Sequence, residues 1–346
     1  MKTIIHIVNN PGNIKDGIGL YGNNLALHLR QDKRVQNVII EGADTTDLTK
    51  MGMITSGRMI RAINQAKMDL SDDSIVIIEY PFQEYNPFII VAVYLLKRQV
   101  KKRKGILVLS LHEYLRANLL RKKVIDVISS IADIVFVTDE KTKNALLCRN
   151  NNIFLRDIPI VISVDNNFRI CDKDKKRYIF MGLVNRSKAF EEMITAWKIF
   201  NEQGTRTLEI YTSSDVQISD TTKYGIIIHK SKSDETIAKA MQKAAFCICP
   251  VKPYITKANS SFATGCLAGC IALGVVGDFL KNEEFVLKMK DYSLQCFLET
   301  LNMADNMPEG QFAIRSSNAV DFIKKAIKSY PQVAKEFLDI CELYRK

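Results

Sequence analysis

Short apolar runs recur along the chain, separated by stretches long enough for one amphipathic helix each. Thr3–Val8, Gln36–Glu41, Ser74–Glu79, Gly105–Leu111 and Ile134–Thr138 form a first series. Largely apolar and alternating with helical patterns, they read as strands of a parallel, doubly wound sheet. A second series follows at Tyr178–Met181, Thr207–Tyr211, Gly225–His229, Ala245–Pro250 and Cys270–Val276. Between the two, residues 161–177 lose periodicity and become polar and charged, which predicts a linker. The pattern thus predicts an α/β protein of two Rossmann-like domains, residues 1–160 and 178–330. A final segment, 331–346, carries Val333, Phe337, Leu338, Ile340, Cys341 and Leu343 at helical spacing and is expected to pack back on the first domain.

Length and composition change this picture little. A chain of 346 residues with 47% hydrophobic side chains supports two cores. Met1–Val8 is too short and ends too abruptly at Asn9-Asn10-Pro11-Gly12 for a signal peptide, so a cytoplasmic protein is expected. The longest apolar stretch, Pro87–Leu96, is far short of the roughly 20 residues that span a bilayer. Eight cysteines without an export signal suggest free thiols. Cys247-x-Cys249 and Cys266-x3-Cys270 sit in apolar runs and read as core residues, not zinc ligands.

Charge adds more. The formal net charge is +11, and Lys97–Lys123 holds ten cations against the single acid Glu113. A solvated basic face and a dock for an anionic membrane both fit that run. The absence of interleaved aromatics and of any nucleic-acid module argues against nucleic acid.

Gly17-Ile18-Gly19-Leu20-Tyr21-Gly22 matches the dinucleotide fingerprint by letter. That fingerprint needs its first glycine directly off the first strand, and Asn9–Asp16 intervene here. A nicotinamide or flavin enzyme is therefore disfavoured. Gly17, Gly19 and Gly22 are expected to shape a loop opening onto a helix from Leu20, either presenting N–H groups to an anion or allowing close helix packing.

Two blocks of the second half carry the strongest chemistry. Tyr178–Phe190 reads as a strand, the turn residue Gly182, a loop with Arg186 and Lys188, then a helix, which suits a diphosphate. Ser233–Gly274 reads as helix, strand, a polar loop and a second helix start, where Lys257, Asn259, Ser260 and Ser261 cluster.

Both blocks resemble the donor domain of GT-B glycosyltransferases. The resemblance implies two Rossmann-like domains facing each other across a cleft, and transfer of a sugar from a nucleoside diphosphate sugar to a saccharide or lipid-linked acceptor, as in polysaccharide biosynthesis. It implies donor binding by Gly182, Arg186, Lys188, Lys257, Asn259, Ser260 and Ser261. His112, at the end of a first-domain strand, matches a histidine that faces the donor sugar in that family. His112, Glu113 and Asp16 are the candidate catalytic groups, with Glu113 orienting His112 or acting as base. The chain departs from the large retaining group, which has two glutamates spaced E-x7-E where Thr256 and Thr264 stand here. Leu183 also replaces the arginine that usually follows the strand-end glycine. Retaining and inverting chemistry stay open, as do an epimerase of the same fold and a catalytically silent sugar-nucleotide-binding or assembly protein. No cofactor or metal is expected, and the membrane, if bound, would be its cytoplasmic face.

Overall fold

The computed structural model describes residues 2–9, 17–43, 53–80, 88–112, 114–115, 117–160, 162, 164, 168–185 and 187–345. They form two compact units, one of Met1–Ile158 with Ser329–Lys346, the other of Pro159–Lys328.

The first unit is a six-stranded parallel sheet in the order β2-β1-β3-β4-β5-β6. Its strands are β1 (Lys2–Asn9), β2 (Val35–Ala43), β3 (Ile75–Tyr80), β4 (Ile106–Leu111), β5 (Ile134–Val137) and β6 (Ile153–Leu155). The helices are α1 (Gly17–Arg30), α2 (Met53–Met68), α3 (Phe88–Lys102), α4 (Leu119–Ile131), α5 (Glu140–Leu146) and the C-terminal α11 (Tyr330–Arg345). Every residue of β3, β4 and β5 is buried, because helices cover both faces, and this is why these strands lack alternation in the sequence. On one face Ile5, Val76, Leu107 and Val135 meet Ile63, Val93, Leu96 and Ile125. On the other, Ile4, Ile75, Ile106 and Phe136 meet Leu25 of α1 and Val333, Phe337 and Leu338 of α11. The C-terminal helix therefore completes the first unit's core. A Cβ on Gly22 would lie 2.8 Å from Val8 Cγ1 and Cγ2, so α1 packs closer to β1 than any side chain there permits.

The second unit repeats the plan with the order β12-β11-β10-β7-β8-β9. Its strands are β7 (Asp174–Met181), β8 (Thr207–Thr212), β9 (Ile226–Lys230), β10 (Ala244–Ile248), β11 (Ile271–Val275) and β12 (Leu287–Met289). The helices α6 (Phe190–Phe200), α7 (Asp234–Lys243), α8 (Ser260–Leu267), α9 (Leu294–Asp305) and α10 (Glu309–Ala326) flank it. Trp197, Phe180, Phe246 and Phe312 fill one face. Cys247, Cys249, Cys266 and Cys270 lie buried in the other with Phe262 and Met241. Strand β7 starts at Asp174, so four residues of the expected linker are strand. No helix among the described residues is long and apolar enough to cross a membrane.

Candidate functional site

Parallel α/β sheets collect their chemistry at the carboxyl ends of the strands. In the first unit one face of that edge is polar inside an otherwise apolar core. Glu79 pairs in register with Ser110, His6 with Ile77, and side chains two residues apart on a strand share a face. His6, Glu79, Ser110 and His112 thereby converge beneath α1.

Glu79 is fully buried and central. His6 Nε2 lies 2.8 Å from its Oε1 and His112 Nε2 lies 2.7 Å from its Oε2. Ser110 Oγ donates to Oε2 as well. Arg156, just past β6 and buried, brings Nη2 to 3.5 Å of Oε2 and stacks its guanidinium 4.4 Å from the Tyr21 ring centroid. Burial alone would raise the Glu79 carboxyl, but the Arg156 charge and the bonds from His112 and His6 outweigh it and hold the group well below the usual range. An ionised carboxylate only accepts, so Nε2 of each histidine carries the proton that Glu79 receives. That leaves His112 Nδ1 without a partner among the described residues. His112 keeps 10% side-chain exposure, and its ring meets Tyr21 edge-on at 5.2 Å. Nε and Nη1 of Arg156 are likewise unpartnered among the described residues.

The carboxylate that orients His112 is thus Glu79. Glu113, expected to orient His112 or act as base, and Asp16 both lie outside the described residues. Glu79, His6 and Arg156 were not anticipated. Acidic and imidazole groups inside otherwise apolar strands were the available signal. The glycine motif needs correction too: Gly17, Gly19 and Gly22 lie within α1, not in a loop before it. Gly22 serves helix packing, whereas a Cβ on Gly17, at the helix start, would meet none of the described residues.

In the second unit the two expected loops meet at the carboxyl edge of the sheet. Ala189 N–H donates to Pro250 O at 2.8 Å and Lys252 N–H to Ser187 O at 2.8 Å, stitching the turn after β7 to the loop after β10. Gly182 follows β7 with φ +134°, a conformation that L side chains rarely adopt, and a Cβ there would lie 3.3 Å from Lys188 Nζ. Lys188 Nζ also lies 5.7 Å from the Phe180 ring centroid. Arg186 is outside the described residues.

The two helix starts differ. At α6 no side chain of Ala189 caps the helix, yet Glu191 and Glu192 sit in its first turn. The Glu192 carboxylate accepts from its own backbone N–H, bonds Lys252 Nζ at 3.0 Å and is held below its usual range by these contacts. At α8 there is no acid in the first turn, and Asn259 does not cap. Its Oδ1 accepts from Thr256 N–H at 2.6 Å instead, so the expected cap is a turn that shapes the preceding loop. Ser260 is exposed and Ser261 buried, while Lys257 is exposed with Nζ 5.7 Å from the Phe279 ring centroid. Uncapped N–H groups with a nearby cation and no competing carboxylate make the α8 start the better anion seat of the two.

Gly182→Ala is expected to cost about 1–3 kcal/mol, the range for residues forced into sparsely populated backbone regions. Thermal melting would register this. A variant as stable as the wild type would show that the turn relaxes without its glycine.

The sequence matches no protein-family model and no curated protein. Similar solved structures include sucrose-phosphate synthase from Thermosynechococcus elongatus, with TM-score 0.70, 14% identity and coverage of 100% of this chain and 98% of that one. An alpha-glucosyltransferase in complex with UDP-glucose and DNA containing an abasic site gives TM-score 0.65 at 13% identity, covering 99% of each chain. The N-terminal domain of Candida albicans trehalose-6-phosphate phosphatase gives TM-score 0.69 at 11% identity, covering 99% of this chain and 96% of that one. At these identities the likeness establishes the fold, and that fold is GT-B.

Proposed function

We propose that this protein is a glycosyltransferase that moves a sugar from a nucleoside diphosphate sugar to a saccharide or lipid-linked acceptor without a divalent metal. The observation that carries the reading is the uncapped, acid-free start of α8 with Lys257, on the same sheet edge as the Gly182–Lys188 turn. A glucosyltransferase of the same fold holds UDP-glucose, which supports a nucleotide-sugar donor.

When the glycosidic bond to the diphosphate breaks, negative charge grows on the leaving oxygens. Helix N–H groups and the cations Lys188 and Lys257, with Arg186 of the same loop, would serve as donors for that charge, the role a metal plays elsewhere. In the first unit, Glu79 accepts from His112 Nε2, so a neutral His112 would present the Nδ1 lone pair, suited to accept a proton or a sugar hydroxyl's hydrogen bond. An inverting reaction would take its base from His112, Glu113 or Asp16, whereas a retaining one would use the leaving diphosphate itself.

The test is release of nucleoside diphosphate from UDP-, GDP-, ADP- and dTDP-sugars, with and without saccharide acceptors and with excess EDTA. Acceptor-stimulated release that survives EDTA is expected. Turnover lost on chelation and restored by Mg²⁺ or Mn²⁺ would contradict the metal-free mechanism. Sugar interconversion without release would indicate an epimerase, and binding without turnover a silent binding protein.

A further inference from the structure

The outward face of α3 is anomalous for a surface helix. Its inward face, Ile89, Ala92, Val93, Leu96 and Val100, is buried in the core of the first unit. At about 100° per residue, Phe88, Val91, Tyr94, Leu95, Arg98 and Lys102 fall on the opposite side. Phe88 is 69% exposed, Val91 54%, Tyr94 51% and Leu95 44%. Single exposed apolar residues are ordinary, but here consecutive turns present them together.

Helix α4 packs beside α3 and repeats the device. Asn118 caps it, and its first turn exposes Leu119 at 81% and Leu120 at 59% next to Arg121, Lys122 and Lys123. Val127, two turns further on, is 41% exposed. Residues 88–123 contain one acid, Glu113, and although Lys97 pairs with Asp133, the side chains of Arg98, Lys101, Lys102 and Lys123 are exposed. The result is a face with apolar side chains at the start of each helix and positive charge interleaved and at the end of α3.

We infer that this α3–α4 face seats the protein on an anionic lipid surface, with the leucines and aromatics in the headgroup boundary and the cations on the phosphates. Two facts select this occupant. A second copy would set one strongly basic face against another. A nucleic-acid backbone would satisfy the cations yet leave the leucines in water. An anionic bilayer satisfies both, because burial of apolar area and attraction of basic side chains act together there. The inference goes beyond the glycosyl-transfer reading and does not depend on it.

The test is flotation of the full chain with vesicles of phosphatidylglycerol and phosphatidylcholine, against phosphatidylcholine alone and duplex DNA at the same salt. The expected result is partition onto anionic vesicles that weakens with salt. Each basic residue near such a surface is worth about fivefold, so Arg98→Ala with Lys102→Ala should weaken partition roughly 30-fold. Leu119→Ser with Leu120→Ser should weaken it at least about tenfold at unchanged charge. All four positions are exposed, and unaltered melting would show that the variants stay folded. Three outcomes would each overturn the inference. They are wild-type protein that ignores anionic vesicles, protein that binds DNA but not vesicles, and lipid-free self-association lost in the leucine variant.

Discussion

Glu79→Gln is expected to lower folding stability by about 3–5 kcal/mol, the usual consequence of removing one partner from a buried ion pair. The substitution keeps the shape and removes the charge. Arg156, buried across from it, would lose its only counter-charge among the described residues, and the N–H groups of His6 and His112 would face an amide that satisfies at most part of them. Against a typical total of about 5–15 kcal/mol, the loss is large enough for urea denaturation to read clearly.

The pH dependence has a definite sign. The folded Glu79 pKa is depressed, so its contribution is complete above the unfolded value near ~4.3 and drains away as pH falls toward the folded value. The gap between wild type and Glu79→Gln should therefore be widest above about pH 5 and shrink in more acid solution. A gap that grows on acidification would mean that Glu79 is protonated in the native protein.

The second large effect concerns the donor loop. Arg186→Ala and Lys188→Ala are each expected to weaken nucleoside diphosphate binding by about 1.5–3 kcal/mol, the range for hydrogen bonds to charged groups. That is roughly ten- to a hundredfold in affinity apiece. Lys188 starts from a defined place, beside Gly182 and over the Phe180 ring. Equal affinities for wild type and both variants in calorimetry would remove this loop from the donor site and leave the α8 start as the anion seat.

The doubly wound architecture was legible because parallel strands covered on both faces are largely apolar, as β3, β4, β5 and β10 are. Strands β6 and β12 escaped notice because each is only three residues at a sheet edge. Strand β7 was read four residues short because its first half, Asp174-Lys175-Lys176-Arg177, is charged, and periodicity is silent where a strand projects beyond its helical cover.

At the site, the strand-end glycine, the Lys188 turn and the polar loop before α8 were visible as local motifs. The Glu79 network was not. His112 finds its carboxylate on the neighbouring strand, 33 positions away, because Glu79 is in register with Ser110, and Ser110 and His112, two residues apart, share a face. Sequence adjacency offers Glu113, whereas strand register brings Glu79, which adjacency does not reveal. Asn259 shows a related limit: its type and position predict a cap, but whether it bonds forward to the helix or back to Thr256 is decided by the loop it closes.

The central claim is that the second unit binds the diphosphate of a nucleotide sugar. Titration calorimetry of the full chain with UDP, GDP, ADP and dTDP, in buffer containing EDTA, tests it most directly. The account predicts a saturable one-to-one isotherm for at least one of the four, weakened tenfold or more by Lys188→Ala. No binding by any of them at about millimolar concentration, where even a −4 kcal/mol interaction would register, would contradict it.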